Sequence, residues 1–105
     1  MKKSTKIKAT LPTWFLLHED PAQQWVEVPY STLVLLSIEE DISAFSFRKG
    51  SITYLERNFD GLLFMRAWLI KLRKKPDNFK YFREHCTPIY HNYAPIRSLP
   101  KYYHD

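Results

Sequence analysis

The sequence predicts an α+β fold in which an antiparallel or mixed sheet of about five strands packs against a short and a long helix. Short runs rich in aromatic and β-branched residues occur as hairpin-like pairs, two stretches show helical periodicity, and the predicted order is ββαββαβ. The 105 residues, 45% of them hydrophobic, suffice for one core but not for two. We expect one domain over residues 11–105, preceded by a mobile basic arm at residues 1–10.

The N-terminal third predicts a hairpin and then a short helix. Extended runs cover residues 13–18 and 25–28, and an Asp-Pro step between them favours a turn. A hydroxyl from Ser31 or Thr32 then provides an N-cap for a helix that reaches residue 38.

The middle of the chain predicts a second hairpin and the long helix. Residues 43–47 and 51–55 read as strands closed by a glycine turn. The helix covers residues 59–75, with Asn58 or Asp60 as its cap, and ends because the proline that follows cannot continue it.

The last part of the chain predicts a strand followed by an irregular tail. Residues 79–85 alternate in a way that suits a final strand, and residues 87–105 contain three prolines and many tyrosines. Two interpretations of the tail stay open: it docks on a partner, or it wraps its own domain and covers an edge strand.

The long helix carries more apolar surface than one contact with a small domain requires. One stripe can cover the sheet, and the other predicts contact with more of the same chain, with a second copy or with a different molecule. We assign the partner contact to Leu62, Met65, Leu69 and Leu72, with Trp68 at its edge. The second stripe comprises Leu63, Phe64, Ala67 and Ile70.

Positive charge is concentrated in the second half of the chain. Lysine and arginine outnumber aspartate and glutamate by 16 to 11 overall, a balance that favours an acidic partner. The cluster consists of Lys71, Arg73, Lys74, Lys75, Lys80 and Arg83. Interleaved with Trp68, Phe79, Tyr81 and Phe82, it also has the composition of a single-stranded nucleic-acid binder. The simpler interpretation is that the cations complement the dipole at the C-terminal end of the helix and that the aromatic residues belong to the core.

Candidates for chemistry are weak. Cys86 is the only cysteine, so no internal disulfide forms, and with His85 and His91 it is the nearest approach to a nucleophilic or metal-binding cluster. Its spacing matches no zinc motif. We expect no metal and no cofactor.

Carboxylates offer a second candidate. Glu19, Asp20 and Glu27 could meet across the first hairpin, although solvation of a turn accounts for the first two more simply. The acidic run 39–41 reads as a solvated helix end or as a patch that meets the basic half of another copy. Without a phosphate loop, nucleophile elbow or dinucleotide fingerprint, the sequence predicts a protein that is not an enzyme.

Neither a signal peptide nor a membrane span is evident. The lysine-rich N-terminus is followed by no apolar core, and the longest apolar runs are far shorter than the roughly 20 residues that cross a bilayer. We expect a soluble cytoplasmic protein without a membrane partner.

Residues 46–56, followed by Asp60 and Phe64, resemble a pattern in small uncharacterised proteins carried by bacterial plasmids and phages. Segments 25–29, 33–38 and 96–102 fit the same resemblance, whereas residues 57–59 depart from it in being poor in acid. The resemblance implies an accessory protein of a mobile genetic element and supplies no known activity.

Taken together, these observations predict a small non-catalytic protein that binds another protein, for example as an inhibitor of a host defence or regulatory complex, and that forms a homo-oligomer such as a homodimer. The alternative is nucleic-acid binding through the basic, aromatic second half.

Overall fold

The computed structural model describes residues 10–103, which form an α+β fold. Its strands are Phe15–Glu19 (β1), Gln24–Pro29 (β2), Phe47–Lys49 (β3), Ile52–Glu56 (β4) and Cys86–Tyr90 (β5). Its helices are Tyr30–Leu35 (α1), Asp60–Lys71 (α2) and Phe79–Arg83 (α3), with 3₁₀ turns at Glu39–Asp41 and Pro95–Ser98. The strands form one mixed sheet in the order β3-β4-β2-β1-β5, so the predicted fold class is confirmed.

Antiparallel pairs build the middle of the sheet, and one parallel pair completes it. β1 runs antiparallel to β2, with Leu16 opposite Glu27, and β4 runs antiparallel to both β2 and β3. β5 lies parallel to β1, with Phe15 opposite Cys86. A parallel neighbour requires a long crossover, and α2 and α3 lie in the connection that leads to β5.

The main core lies between the sheet and α2 and is dominated by aromatic rings. The Phe15 ring centroid lies 5.1 Å from Phe64, 5.5 Å from Trp68 and 5.5 Å from Phe82. All four side chains are buried. Each such pair contributes about 0.5–1.5 kcal/mol beyond the burial of its area, so these contacts fix α2 and α3 against β1.

The prediction of a strand at residues 79–85 is wrong, because this segment forms α3 and the strand begins at Cys86. Asn78 caps α3 by accepting the N–H of Tyr81 at 3.3 Å. Phe79 and Phe82 lie three positions apart and both pack on the core, which is helical spacing. The side-chain cap and this spacing favour helix over the alternating pattern.

The predicted partner contact on α2 is also wrong. Met65, Trp68 and Leu69 are buried within the single chain, and Leu62 and Leu72 are half-buried against the same core. A homodimer built on this stripe therefore has no structural basis.

The second stripe of α2 is enclosed as well, apart from one residue. Phe64 is buried and its neighbours are half-buried, whereas Ile70 is 59% exposed. β1 and α3 contribute to this cover: the Phe64 ring lies 5.1 Å from Phe15 and 6.0 Å from Phe82.

α1 begins without the predicted hydroxyl cap. Its N-cap is Pro29, which makes no side-chain hydrogen bond, so neither Ser31 nor Thr32 serves as the cap. The first helical residue, Tyr30, donates its N–H to the Ser51 carbonyl at 2.7 Å instead. A neighbouring loop thus satisfies one of the four backbone N–H groups at the start of the helix that have no partner within it.

α2 ends at a C-terminal capping motif. Arg73 has a positive φ of 61°. Its N–H donates to the Ile70 carbonyl at 2.9 Å, and the Lys74 N–H donates to the Leu69 carbonyl at 2.8 Å, the pattern of a Schellman motif. The helix therefore stops before Pro76, the residue predicted to end it.

None of the helices within residues 10–103 has the length and apolar character needed to cross a membrane. The predicted basic arm, except for Thr10, lies outside the described residues.

Position 73 provides a test of how α2 ends. We expect Arg73→Gly to raise the free energy of unfolding by about 0.5–1 kcal/mol, because glycine adopts positive φ without the steric cost that a Cβ incurs. Lys71→Gly, within the last helical turn, is the matched control and should lower it by about 1 kcal/mol. Urea denaturation measures both. Equal losses in the two variants would contradict the assigned conformation.

Candidate functional site

The C-terminal segment, residues 91–103, wraps the chain's own domain, which is the second of the two predicted interpretations. Arg48 donates its N–H to the Pro100 carbonyl at 2.9 Å, and Tyr102 donates its N–H to the Ser46 carbonyl at 2.9 Å. These bonds run along β3, the outer strand at that side of the sheet. The segment thereby covers an edge that would otherwise expose backbone groups.

An ion pair between Asp20 and Arg97 fastens this segment to the β1–β2 turn. Arg97 donates through two nitrogens to the two carboxylate oxygens, at 2.8 and 3.0 Å. Asp20 also accepts the N–H groups of Ala22, Gln23 and Ala94 at 3.0–3.1 Å. These interactions, with the hydrogen bond from Arg97 foremost, hold the pKa of Asp20 far below its usual value of 3.8. The expected role of Asp20 as a solvated turn residue is therefore corrected to that of a buried anchor.

Beneath the segment lies a second, smaller hydrophobic cluster. The Arg97 guanidinium lies over two rings, 5.1 Å from the centre of Trp25 and 5.2 Å from that of Tyr93. The buried members of the cluster are Trp25, Phe47, Ala94 and Ile96. The sheet is therefore packed on both faces, with the helices on one and the C-terminal segment on part of the other.

Two adjoining grooves open beside this segment, with volumes of about 430 and 290 Å³. Phe45 and Lys101 line both of them. Aromatic and cationic side chains dominate the larger groove, among them Trp25, Phe59 and Arg97. Tyr103 extends the aromatic lining into the smaller groove. We call this pair of grooves the aromatic groove.

Two phenylalanines stand exposed at the aromatic groove. Phe45 is 60% and Phe59 is 62% exposed, yet their rings stack on each other with centroids 5.3 Å apart and planes 16° from parallel. Large apolar side chains grouped at a surface typically mark an interaction site.

Hydrogen bonds to Asp60 hold the loop that carries Phe45. Asp60, the first residue of α2, is buried and accepts the N–H of Ser43 at 3.0 Å and its hydroxyl at 2.7 Å. The Ser46 hydroxyl donates to the same carboxylate. The Ser43 oxygen in turn accepts the Phe45 N–H at 3.1 Å. The residue predicted as a helix cap therefore organises a loop next to the helix.

Glu56 holds the turn that carries Phe59. Its carboxylate accepts the Phe59 N–H at 3.1 Å and the Gln23 side-chain amide at 2.9 Å, while its own N–H donates to the Ser46 hydroxyl at 3.0 Å. Ser46, Glu56 and Asp60 therefore converge in one network. In this structure they position the two phenylalanines.

Lys101 is the cation of the aromatic groove that remains available to a ligand. Its Nζ lies 5.0 Å from the centre of the Phe47 ring, and it forms no ion pair with any carboxylate among residues 10–103. Arg97 is already paired with Asp20. The groove therefore combines exposed aromatic area with the positive charge of Lys101, while the Glu56 carboxylate in its lining is occupied by neutral N–H donors.

The six predicted basic residues lie elsewhere, around the C-terminal end of α2 and on α3. All of them are exposed: Lys71, Arg73, Lys74, Lys75, Lys80 and Arg83. Of the aromatics predicted to accompany them, Trp68 and Phe82 are core residues and cannot stack on a ligand.

The predicted histidine and cysteine cluster does not form. Burial raises the pKa of the Cys86 thiol to about 11, and the thiol donates to the Phe82 carbonyl at 3.4 Å, so it is a poor nucleophile. His85 bonds to the carbonyl of Tyr81, whereas His91 lies beyond the other end of β5 and 3.1 Å from His18. No group of three potential metal ligands occurs among residues 10–103.

Asp20 and Glu27 of the first hairpin, which could have met as paired carboxylates, have different partners. Asp20 binds Arg97, whereas Glu27 accepts a hydrogen bond from His18 at 2.8 Å. Each carboxylate therefore serves a separate contact.

Sequence reasoning missed the aromatic groove because its lining comes from distant parts of the chain. One local signal was present: a phenylalanine occupies the N-cap of α2, a position that favours small polar residues. Models of known families, curated proteins and solved structures were compared with the chain, and none of them matches it.

The Asp20 anchor predicts a specific pH dependence of stability. Because its pKa is lower in the folded than in the unfolded chain, the ion pair stabilises the fold above about pH 4 and this contribution declines as the pH falls. We expect Asp20→Asn to be less stable than the wild type at neutral pH, with a difference that narrows on acidification. Urea midpoints at about pH 7, 4 and 2.5 measure it.

The exposed Asp41→Asn is the matched control, since it removes a carboxylate without removing an anchor. A difference between Asp20→Asn and the wild type that stayed constant from about pH 7 to 2.5 would contradict the role given to Asp20.

Proposed function

We propose that this protein is a non-catalytic binding protein whose aromatic groove receives an extended segment of another protein. The observation that carries the proposal is the exposed, stacked pair of Phe45 and Phe59 beside Lys101. The proposal keeps the predicted class of function but moves the contact surface from α2 to the loops before β3 and α2.

The rigidity of the aromatic pair supports this surface. Aromatic side chains are enriched among the residues that contribute most to protein interfaces. Here the backbones of both loops are tied to buried carboxylates, Asp60 and Glu56, so the rings are held in place before a partner arrives. Little conformational entropy is then lost on binding.

The charge of the groove defines the partner's chemistry. Lys101 favours a carboxylate, and the rings of Phe45 and Phe59 favour an adjacent apolar side chain. The partner segment is therefore an acidic residue next to a hydrophobic one, in an extended conformation that the shallow grooves can accept.

The resemblance described above gives the proposal a biological setting, a plasmid or phage, whereas the location and the inhibitory role are part of the proposal itself. We place the protein in the cytoplasm of a bacterium as an accessory of a plasmid or phage. There it inhibits a host defence or regulatory complex by occupying a surface that the complex needs.

A displayed library of random peptides tests the groove directly. We expect the wild type to enrich peptides in which aspartate or glutamate neighbours an apolar residue. The double variant Phe45→Ser/Phe59→Ser should lose at least about 30-fold in affinity, the loss of a hot spot of roughly 2 kcal/mol. Both side chains are mostly exposed, so the fold should persist, as circular dichroism would show.

Two further variants sharpen this experiment. Lys101→Glu should exchange the preference for acidic peptides for a preference for basic ones. Tyr90→Ser, which alters a 73% exposed tyrosine on β5, should leave binding unchanged. Enrichment that survives the double phenylalanine substitution, or that ignores Lys101→Glu, would refute the proposal.

A further inference from the structure

The surface at the C-terminal end of α2 is strongly positive. Residues 71–85 carry six exposed cations, and Asp77 and Glu84 are the acidic residues among them. The cations come from the end of α2, the turn and α3, so they spread over a surface wider than one helix face. A charge density of this kind attracts a polyanion.

A row of aromatic rings runs through this surface and ends at an exposed tryptophan. The Lys74 ammonium lies 4.7 Å from the centre of the Tyr81 ring, Tyr81 lies 4.5 Å from His85, and His85 lies 5.9 Å from Trp14. Trp14 is 56% exposed, and its Nε1–H donates to the Thr87 hydroxyl at 2.6 Å. We call the three rings, Tyr81, His85 and Trp14, together with the Lys74 ammonium at their end, the aromatic row.

Buried Trp68 supports the row from within the core. Its ring lies 5.9 Å from Tyr81 and 5.7 Å from His85. The Tyr81 carbonyl also accepts a hydrogen bond from His85 Nδ1 at 2.8 Å. The row is thus a fixed feature of the fold, with its exposed end oriented by the bond between Trp14 and Thr87.

From this juxtaposition we infer that the protein has a second binding site, for single-stranded nucleic acid. A base stacks on Trp14, and the phosphates of the strand run along the cations of α2 and α3. Proteins that bind single strands without sequence preference combine these two elements, a positive surface for the backbone and aromatic faces for the bases.

The number of cations favours nucleic acid over an acidic protein as the occupant. Six exposed cations suit a strand that carries a phosphate at every nucleotide, whereas the aromatic groove offers a single lysine. The adjacent tryptophan face offers stacking that every base can use. The site also lies apart from the aromatic groove. Phe59 precedes α2 and Lys71 ends it, and a helix of 12 residues is about 18 Å long.

Fluorescence anisotropy with labelled 12-nucleotide probes tests the inference. Oligo-dT, oligo-rU and a duplex of the same length are titrated with the full chain. We expect both single strands to bind more tightly than the duplex, and a preference between them to identify DNA or RNA as the ligand. With about three phosphate contacts, log affinity should fall with log salt with a slope of about −2.

Variants separate stacking from charge. Trp14→Ala should weaken binding by about five- to 150-fold with little change in the salt slope, the effect of losing one stacked base. The double variant Lys80→Gln/Arg83→Gln should reduce the magnitude of the salt slope by about 1.4, because it removes two phosphate contacts of about 0.7 each. Tyr90→Ala and Lys49→Gln, exposed aromatic and cationic positions elsewhere, are the matched controls and should change neither quantity.

Several results would overturn the inference. They are the absence of binding at low salt, an affinity that Trp14→Ala leaves unchanged, and competition by an acidic polypeptide that itself depends on Trp14. The last would assign the surface to a protein. The double variant Phe45→Ser/Phe59→Ser should leave binding of the nucleic-acid probes intact. The nucleic-acid site and the peptide site can therefore be refuted independently.

Discussion

The ion pair between Asp20 and Arg97 governs how the sheet is completed. The helices cover one face of the sheet, and Trp25 and Phe47 are buried in a separate cluster on the other. The C-terminal segment covers part of the other face, and Arg97 fixes it there by binding Asp20 and lying over Trp25. Removal of this contact would free the segment over the second hydrophobic cluster, whereas the backbone bonds of Arg48 and Tyr102 would still hold its end along β3.

Much of the fold could be predicted from local patterns. The main error was the strand predicted at residues 79–85, where the chain forms α3. β1, β2, β4 and α2 were predicted within a few residues, because each shows a clear period and sits between turn residues. Seven residues from 79 to 85 are too few to separate an alternating pattern from a helical one. The predicted strand also concealed a packing contact of α2, because Phe82 of α3 packs on Phe64 and Trp68.

The candidate sites depend on contacts between distant segments, which sequence patterns do not report. Phe45 and Phe59 meet because Asp60 and Glu56 bind the loops that carry them. Trp14 reaches the basic surface only because β1 lies beside β5, where Thr87 orients its ring. The sequence identified the cations, Asp60 as one of two candidate caps of α2, and a tail that wraps its own domain as one of two interpretations. Their arrangement required the sheet order.

α3 contributes both to the core, through Phe82, and to the basic surface, through Lys80 and Arg83. Its five residues are too few to form a helix alone, so it depends on Phe82 in the core and on the Asn78 cap. Its outward residues add Lys80 and Arg83 to the cations of α2, and their mutual repulsion opposes the docking of α3. A polyanion bound across both helices would relieve that repulsion and stabilise the folded chain through linkage. The inner face of α3 thus packs on α2, and its outer face carries cations whose repulsion is weakest when an anion is bound.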